Sequence, residues 1–544
     1  MVREVQPGRR SRLTRREFLR ESARAAAIAG VAPSALSLLL SGCARGKGRR
    51  AGLHPDLVKH SVRVALDADV QSLDPAMHRS RTVEAVVRNI CDGLVARDGE
   101  MRYVPQLAES WQVEGESRWV FRLRKGVRFQ NGDPFTADDV KFTIDRIIGA
   151  IPDLEPSPRK DLLGPVSGCE VIDEHAVAII TDGPYPILEK KLVFQEVCPK
   201  AYFEQVGPDQ FAKKPVGAGP FRLVEWRPGE RIVLERCDEY YGGSPEIPPV
   251  GPAQLTGVIF RPLEEAATRL ASLEAREVEV AVNVPPDQGE HIAGLPHARL
   301  SIAQGTRTHF VGLNCARKPF SDRRVREAMR HAVNPEPIIE RFLLGRARAL
   351  SGLLVPMAFG YDTSLPQPRQ DVGRAKELLR QAGYVGGLDV TFDCEATDKR
   401  IAEAIAGTMR AAGVRAAVRV WKKDNLLNQL RRQERDLFLT SWGNSSLDPS
   451  GILPVLLRSD GYSNFFGYRN PEVDRLLAEA DRAMDSGTRA EKYVQVQRIL
   501  HRDIPTCFHF ALEELYGVST RVKNLEARPD GMLPMHDVSL AAEG

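Results

Sequence analysis

The chain has 544 residues, of which 42% are hydrophobic, and its 76 basic and 72 acidic residues give a formal net charge of +4. A single hydrophobic core stops growing at about 250–300 residues, so we expect a chain of this length to fold into two or three lobes. A net charge this small argues against a strongly basic binding surface, and we expect no nucleic-acid partner.

The first 42 residues have the features of a cleavable export signal. Residues 14–20 (TRREFLR) form a twin-arginine motif, residues 25–40 are largely apolar, and Leu40-Ser41-Gly42-Cys43 resembles a lipoprotein signal-peptidase site. Secretory signals have this order of a basic segment, a short apolar segment and small residues at the cleavage site. We therefore expect a signal peptide over 1–42 and a lipidated linker over 43–56. The protein should work outside the cytoplasm, in the periplasm or on the outer face of the cell membrane, anchored through lipid on Cys43.

An N-terminal membrane anchor that is never cut is the alternative to a signal peptide. Its apolar run is shorter than the roughly 20 residues that span a bilayer, and it contains Pro33. The leader holds eight Arg and three Glu, so the rest of the chain has a net charge of −1. No later segment resembles a membrane span, which leaves two acyl chains on Cys43 as the expected anchor.

The eight cysteines show no metal-binding pattern. None lies in a CxxC spacing, and the 11 histidines include no HxxxH pair, so we expect neither a metal site nor a cofactor. If Cys43 carries lipid, seven cysteines remain and at least one is unpaired. Buried free thiols are expected, with one disulfide among Cys169, Cys198 and Cys237 as the alternative in an oxidising compartment.

Strand and helix signals alternate along the rest of the chain. Apolar residues recur at every second position over 62–66 and 119–123, which predicts strands. Helices are predicted from a capping box at Thr136-Ala137-Asp138-Asp139, an apolar stripe over 325–333, a capped segment over 371–383 that stops at Gly383, and the start signal Asn470-Pro471. The alternation predicts a mixed α/β fold.

A series of motifs extends over nearly all of the chain beyond the leader. In order they are Ser72-Leu73-Asp74-Pro75, Asp92-Gly93-Leu94-Val95, VPQLAESW at 104–111, FRLRKGVRF at 121–129, NGDPFTADDV at 131–140, PVGAGPF at 215–221, Asn314 with Pro319-Phe320, VREA at 325–328, and Asp503-Ile504-Pro505. Together they resemble the bacterial family-5 solute-binding proteins, the group that binds dipeptides, oligopeptides or nickel.

The resemblance implies a two-lobed α/β fold of the periplasmic-binding-protein type (type II, a Venus flytrap) with an extra domain inserted into the first lobe. The implied divisions are lobe I at 57–98, 216–308 and 509–544, the inserted domain at 99–215, and lobe II at 309–508. It also implies a monomer that captures a small solute by lobe closure and delivers it to the permease and ATPase of an ABC importer, without catalysis.

The segment Ser441–Pro449 is the most informative place for a ligand. It follows a predicted buried strand at 437–439, so we expect a strand-end loop, where α/β folds bind ligands. In peptide-binding members of the family, an aspartate three residues after the tryptophan pairs with the peptide ammonium, whereas here that position is Ser445. Burial of an ammonium group without a paired carboxylate costs several kcal/mol. A peptide ligand would therefore need another acid, such as Asp69 or Asp424, in place of the missing aspartate.

Ligand-binding residues are predicted in this loop and, by family position, at four other places. Trp442 offers a ring face for stacking, with a core position beneath the loop as the alternative. The full set is Trp442, Gly443, Asn444, Ser445, Ser446, Asp448, Met77, His78, Asn283, His309 and Met357.

The sequence leaves several ligand classes and roles open. A peptide or peptide-like solute is one expectation, and a sugar, an opine, a metal chelate or heme is the other. A lipoprotein that senses its ligand would need the same closing trap. A lipid-anchored hydrolase is a remote alternative, because we find no recognisable arrangement of nucleophile and base.

The export motif gives the first testable prediction. Replacing Arg15 and Arg16 together by lysine should leave the precursor in the cytoplasm, because twin-arginine export depends on both guanidinium groups. Fractionation and immunoblotting measure the ratio of precursor to processed protein. Normal processing of the double variant would contradict the predicted route.

Overall fold

The computed structural model describes residue 57 and residues 59–541, so the predicted signal peptide, the lipid site at Cys43 and the linker lie outside the described residues. The strands within this part are β1 Ser61–Leu66, β2 Val95–Arg97, β3 Tyr103–Pro105, β4 Ala108–Glu114, β5 Arg118–Leu123, β6 Val166–Asp173, β7 Ala176–Thr181, β8 Phe221–Arg227, β9 Arg231–Arg236, β10 Gly257–Pro262, β11 Val280–Ala281, β12 Ala298–Leu313, β13 Ala347–Leu350, β14 Leu388–Glu395, β15 Val414–Trp421, β16 Leu437–Gly443, β17 Thr506–Ser519, β18 Val522–Lys523 and β19 Ser539–Leu540.

The α-helices alternate with these strands, as expected for a mixed α/β fold. They are α1 Arg81–Val87, α2 Ala137–Ile148, α3 Lys160–Leu163, α4 Leu188–Leu192, α5 Lys200–Val206, α6 Pro208–Phe211, α7 Ala266–Glu274, α8 Gly289–Ala293, α9 Arg323–Ala332, α10 Pro335–Phe342, α11 Val372–Gln381, α12 Lys399–Met409, α13 Lys423–Arg431, α14 Leu453–Leu457, α15 Pro471–Arg482 and α16 Ser486–Asp503. None of the described helices is long and apolar enough to span a bilayer.

One mixed sheet of eleven strands joins the two lobes. Its order is β15-β14-β16-β12-β17-β11-β1-β10-β9-β8, and β13 pairs with β17 beside this path. We call the half around β1 and β8–β11 the first lobe and the half around β13–β16 the second lobe. In the second lobe β14 runs parallel to both β15 and β16, and helices α12 and α13 connect these three strands. Each lobe buries its own apolar clusters against its part of the sheet.

Two long strands, β12 and β17, cross from one lobe to the other. In the first lobe Ala298–Gln304 pairs with Glu513–Ser519, and in the second lobe Thr308–Gly312 pairs with Thr506–Ala511. The ladder is irregular between these two stretches. Gly305 lies at the irregularity, where a Cβ atom would come within 2.5 Å of the Leu512 carbonyl oxygen, so only glycine allows this approach. The predicted boundaries between lobe I and lobe II, at 308/309 and 508/509, fall within β12 and β17.

A separate antiparallel sheet of four strands, in the order β4-β5-β7-β6, forms a small domain. Helix α2 packs along it, and their shared core includes Phe121, Leu123, Ile144 and Ile179. This small domain lies within the predicted insertion at 99–215.

The local signals read from the sequence are confirmed. Thr136 caps α2, and its backbone amide donates to the Asp139 carboxylate at 2.9 Å, which completes the capping box. The Asn470 side chain accepts from the first-turn amides of α15, and Gly383 ends the segment after α11 with a positive φ of 93°. The predicted strands at 62–66 and 119–123 are β1 and β5.

Two further expectations concern cysteines and the ligand-facing loop. The seven described cysteines are all free, and all but Cys315 are buried, so the alternative of a disulfide among Cys169, Cys198 and Cys237 is wrong. The loop expected from Ser441 begins later, because β16 continues through Gly443 by pairing with β12.

Candidate functional site

A cavity of about 1110 Å³ lies between the second lobe and the rest of the fold. Its second-lobe wall contains the end of β16 and the segment after it, from Leu439 to Ser446. The opposite wall includes Arg81 at the start of α1, Tyr185, Lys191 and Phe194. The strand-end position is the one at which open α/β sheets bind ligands.

Three neighbouring strands bring polar residues to this wall. Glu395 ends β14 and Gly443 ends β16, and these two strands run parallel. Arg307 lies on β12 directly opposite Gly443 in the antiparallel ladder. The ladder register therefore places the guanidinium of Arg307 beside the end of β16, where its Nη1 lies 3.3 Å from the Ser441 hydroxyl oxygen.

Trp442 has both a structural and a cavity-facing role. Its indole Nε1 donates to the Gly451 carbonyl at 2.9 Å, and its ring packs partly against the second-lobe core. The ring also lines the cavity, 6.3 Å from the centroid of the exposed Tyr462 ring. The ring therefore lies partly in the second-lobe core and partly at the cavity wall, and its stacking on a ligand stays a prediction.

Two polar groups in the cavity wall have no hydrogen-bond partner among the described residues. They are Nδ2 of Asn444, a residue only 5% exposed, and Oγ of Ser450. A buried polar group left unpaired costs about 1–3 kcal/mol. Both therefore gain if a bound solute provides a partner.

The cavity also contains charges of both signs that form no ion pair within the described part of the chain. The basic members include Arg307 and Lys191, and the acidic members include Glu395 and Asp398. Burial and the neighbouring Glu395 raise the pKa of Asp398 to about 6. Burial and the neighbouring Arg81 lower the pKa of Arg307, while burial lowers that of Lys191. Each shift reflects a charge that its surroundings do not fully compensate.

Direct hydrogen bonds join the second-lobe loop to the other side of the cavity. Arg97 donates to the Ser445 carbonyl, and the Tyr103 hydroxyl donates to the Ser446 carbonyl at 2.5 Å. Lys190 Nζ donates to the Asp448 carboxylate at 2.9 Å. These contacts hold the second-lobe loop directly against the other side of the fold.

Asp448 is fully buried and holds the loop in place. Arg489 on α16 donates to both of its carboxylate oxygens, at 2.5 and 2.7 Å, and the Ser450 amide donates to it at 3.1 Å. Although burial raises the pKa of Asp448, the hydrogen bonds and charges of Arg489 and Lys190 lower it to well below its usual value. Its contacts are structural, and it does not line the cavity.

The structure brings together only part of the predicted ligand-binding set. Trp442, Gly443, Asn444, Ser445 and Ser446 line the cavity. The remaining predicted residues do not line it, and neither do the two acids considered as replacements for the missing aspartate; these are Asp448, Met77, His78, Asn283, His309, Met357, Asp69 and Asp424.

The partners of these residues explain their positions outside the cavity. His78 is buried against Arg159, and burial together with that charge lowers the pKa of His78 to about 4. The His309 ring stacks on Phe510 with a centroid distance of 4.8 Å. The Asn283 amide donates to the Asp67 carboxylate. No group of three or more potential metal ligands occurs in the described part of the chain.

Sequence reasoning missed Arg307, Glu395, Asp398 and Lys191. One signal was available for Glu395, because it ends a period-two apolar segment, residues 388–395, and so takes a strand-end position. Arg307 gave no signal, since it precedes an apolar run and resembles the first exposed residue of a strand. Its place in the cavity depends on its register against β16, which only the folded sheet defines.

The profile of the family described as "Bacterial extracellular solute-binding proteins, family 5 Middle" matches residues 102–464. The chain belongs to family 5 of the bacterial extracellular solute-binding proteins. It therefore has the two-lobed α/β fold of periplasmic binding proteins, with an extra domain in the first lobe, as the sequence resemblance implied.

Named relatives of this family-5 protein are binding proteins. It is 26% identical over 497 residues to the glutathione-binding protein GsiB of Shigella boydii serotype 4, covering 88% of this chain and 94% of that one. It is 26% identical over 469 residues to di/tripeptide-binding protein 1 of Pseudomonas aeruginosa, covering 79% and 85%.

A solved structure with a bound peptide also matches this family-5 protein. The periplasmic binding protein DppA from Helicobacter pylori, in complex with peptide STSA, superposes with a TM-score of 0.71 at 25% identity, covering 88% of this chain and 98% of that one.

The buried position of Asp448 gives a prediction about stability. Asp448→Asn should lower the free energy of unfolding by about 3–5 kcal/mol, because it leaves the buried Arg489 without its counter-charge. Urea unfolding followed by circular dichroism measures this loss. Asp460→Asn is the matched control, since it breaks the exposed pair with Arg458 and should change stability by less than about 1 kcal/mol. Equal stability of the two variants would contradict a structural role for Asp448.

Proposed function

We propose that this family-5 protein is the lipid-anchored, extracytoplasmic receptor of an ABC importer and that its solute is a short peptide or a peptide-like molecule. The observation that carries the proposal is a cavity that combines unpaired charges of both signs with an aromatic face. A peptide zwitterion presents a cation, an anion and apolar side chains, and the cavity has a complement for each. Its volume of about 1110 Å³ is ample for a molecule of a few residues.

The acids that complement a peptide ammonium lie at the end of β14, and the arginine that complements a peptide carboxylate lies on β12. Glu395 and Asp398 are half-buried acids without an ion-pair partner in the described residues, so they are candidates for the ammonium that Ser445 cannot neutralise. Arg307 is near enough to Glu395 for the two charges to influence each other. The names of the relatives, which bind glutathione or di- and tripeptides, support the same ligand class.

The proposed mechanism is capture by closure. A ligand that contacts both walls binds the closed arrangement more tightly than an open one, and it shifts the equilibrium by that difference in affinity. The bonds from Arg97, Tyr103 and Lys190 to the second-lobe loop supply closed-state contacts that need no ligand. The closed molecule would then dock on the permease and release its solute.

A non-peptide solute is the second candidate, and Ser445 is the observation that favours it. A neutral hydroxyl at this position, next to Trp442 and Asn444, suits the hydroxyl groups of a sugar or the polar groups of an opine. The two candidates differ in whether the ligand must be a zwitterion.

A thermal-shift screen of the processed protein without lipid separates the two candidates. Di- and tripeptides and glutathione should raise the melting temperature, because a ligand at 100 times its dissociation constant adds about 2.7 kcal/mol to the stability of the folded state. Oligosaccharides, opines and metal chelates form the comparison set. Stabilisation by this set alone would overturn the peptide proposal.

The ring face of Trp442 gives a further prediction. Trp442→Ala should weaken binding of the best stabilising ligand by about tenfold or more, because stacking and apolar burial are lost, whereas Trp442→Phe should retain part of the affinity. Isothermal titration calorimetry measures both. Trp226→Ala, at a half-buried tryptophan on β8 outside the cavity, is the control and should bind normally. Unchanged affinity of Trp442→Ala would exclude the ring from the binding site.

A further inference from the structure

The second-lobe wall of the cavity has an excess of free hydrogen-bond donors at the place where an ammonium would need a carboxylate. The position three residues after Trp442 is the neutral Ser445. Among the acids nearby in sequence, Asp448 is buried and already paired with Arg489 and Lys190. This segment therefore offers no free negative charge to a cation.

Arg307 provides a positive charge beside the end of β16. Its side chain is exposed and lines the cavity, and no carboxylate lies within ion-pair distance of it in the described residues. The nearest basic neighbour that affects it, Arg81, is already paired with Glu514 at 2.7 Å. A Cβ atom on Gly443 would come within 3.1 Å of Arg307 Nη2, so the glycine gives the guanidinium its space at the strand end.

Asn444 adds a donor beside this guanidinium. Its backbone amide donates to the Thr306 carbonyl at 3.3 Å, which fixes residue 444 next to the strand position of Arg307. The Ser446 hydroxyl donates to Asn444 Oδ1 at 3.1 Å, and its oxygen accepts a hydrogen bond from the Asp448 amide. This arrangement occupies the oxygen of the Asn444 amide and leaves the two hydrogens of Nδ2 without an acceptor.

Ser450 completes the group from the other side of the loop. Ser450 lines the cavity, its hydroxyl oxygen is buried without a partner among the described residues, and the neighbouring Gly451 carries the carbonyl that accepts from Trp442. The Asp448 carboxylate holds the Ser450 amide, so the position of this hydroxyl is set by a buried ion pair. Arg307, Asn444 and Ser450 thus line the same wall with one cation, one unpaired amide donor and one unpaired hydroxyl, and a carboxylate accepts from all three types of group.

We propose that Arg307, Asn444 and Ser450 form a carboxylate-binding subsite, so that the anionic end of the solute, and not its amine, contacts the second-lobe loop. This inference rests on the proposed function, because it states which end of a bound peptide contacts this loop. It also specifies a class of solute, namely one that carries a carboxylate. The amine of a zwitterion would then contact the acids at the end of β14.

The test compares pairs of ligands that differ only in this group. The probes are trialanine and trialanine amide, together with the non-peptide pair succinamate and succinamide, each titrated calorimetrically into the wild-type protein. Trialanine should bind at least tenfold more tightly than its amide. Arg307→Gln should reduce binding of the free acid by about 10- to 100-fold and leave the amide unchanged, because the charged bidentate contact is lost.

Two further variants separate a direct contact from a general change of charge or fold. Arg307→Lys keeps the positive charge but lacks the planar guanidinium group, so it should give an intermediate loss of affinity for the free acid. Asn444→Asp replaces the donor by an acid of the same shape and should weaken binding of the free acid at least tenfold. Arg317→Gln removes an exposed charge outside the cavity and should have no effect.

Each outcome decides the inference and, separately, the proposed function. Equal binding of trialanine and its amide would overturn the carboxylate subsite while the peptide proposal stands. Binding of succinamate but of neither peptide, lost in Arg307→Gln, would support the subsite and overturn the peptide proposal. If neither free acid binds, the subsite is overturned, and the thermal-shift screen then decides the ligand class.

Discussion

The buried carboxylate of Asp448 is the constraint on which the loop at the cavity wall depends. It bridges Arg489 on α16 and Lys190 from the opposite side of the cavity, and it fixes the turn that carries Ser450. A carboxylate without exposed surface is stable in its charged form only with such partners. The loop is therefore anchored by buried contacts within the chain itself.

The same carboxylate joins the second-lobe loop to Lys190 on the other side of the cavity. Lys190 pairs with Asp448, and Arg97 and Tyr103 donate to the carbonyls of Ser445 and Ser446. The strands β12 and β17 run continuously from one lobe to the other near the middle of the sheet, and their ladder is irregular around Gly305. Closure in a two-state trap would bend these strands and make or break the contacts of the loop.

The cavity differs from a neutral apolar pocket in its uncompensated charges. Arg307 and Lys191 on the basic side, and Glu395 and Asp398 on the acidic side, lack ion-pair partners among the described residues. A folded protein keeps such groups at a cost in stability, since their charges are partly removed from water. Binding of a solute with complementary charges offsets this cost, so the site combines selectivity with a gain in stability on binding.

The sequence determined the family, the fold class and the local elements, because motifs, capping boxes and apolar periods are properties of neighbouring residues. Thr136, Asn470 and Gly383 have the predicted roles for this reason. The sequence also indicated the segment from Trp442 to Ser446, which follows a recognisable strand. Only the tertiary structure decided that Asp448 is a buried ion-pair partner and that Arg307 faces the cavity. Both facts depend on contacts between residues far apart in the chain, on the pairing of β12 with β16 and on the approach of α16 to the loop, and no local pattern encodes such contacts.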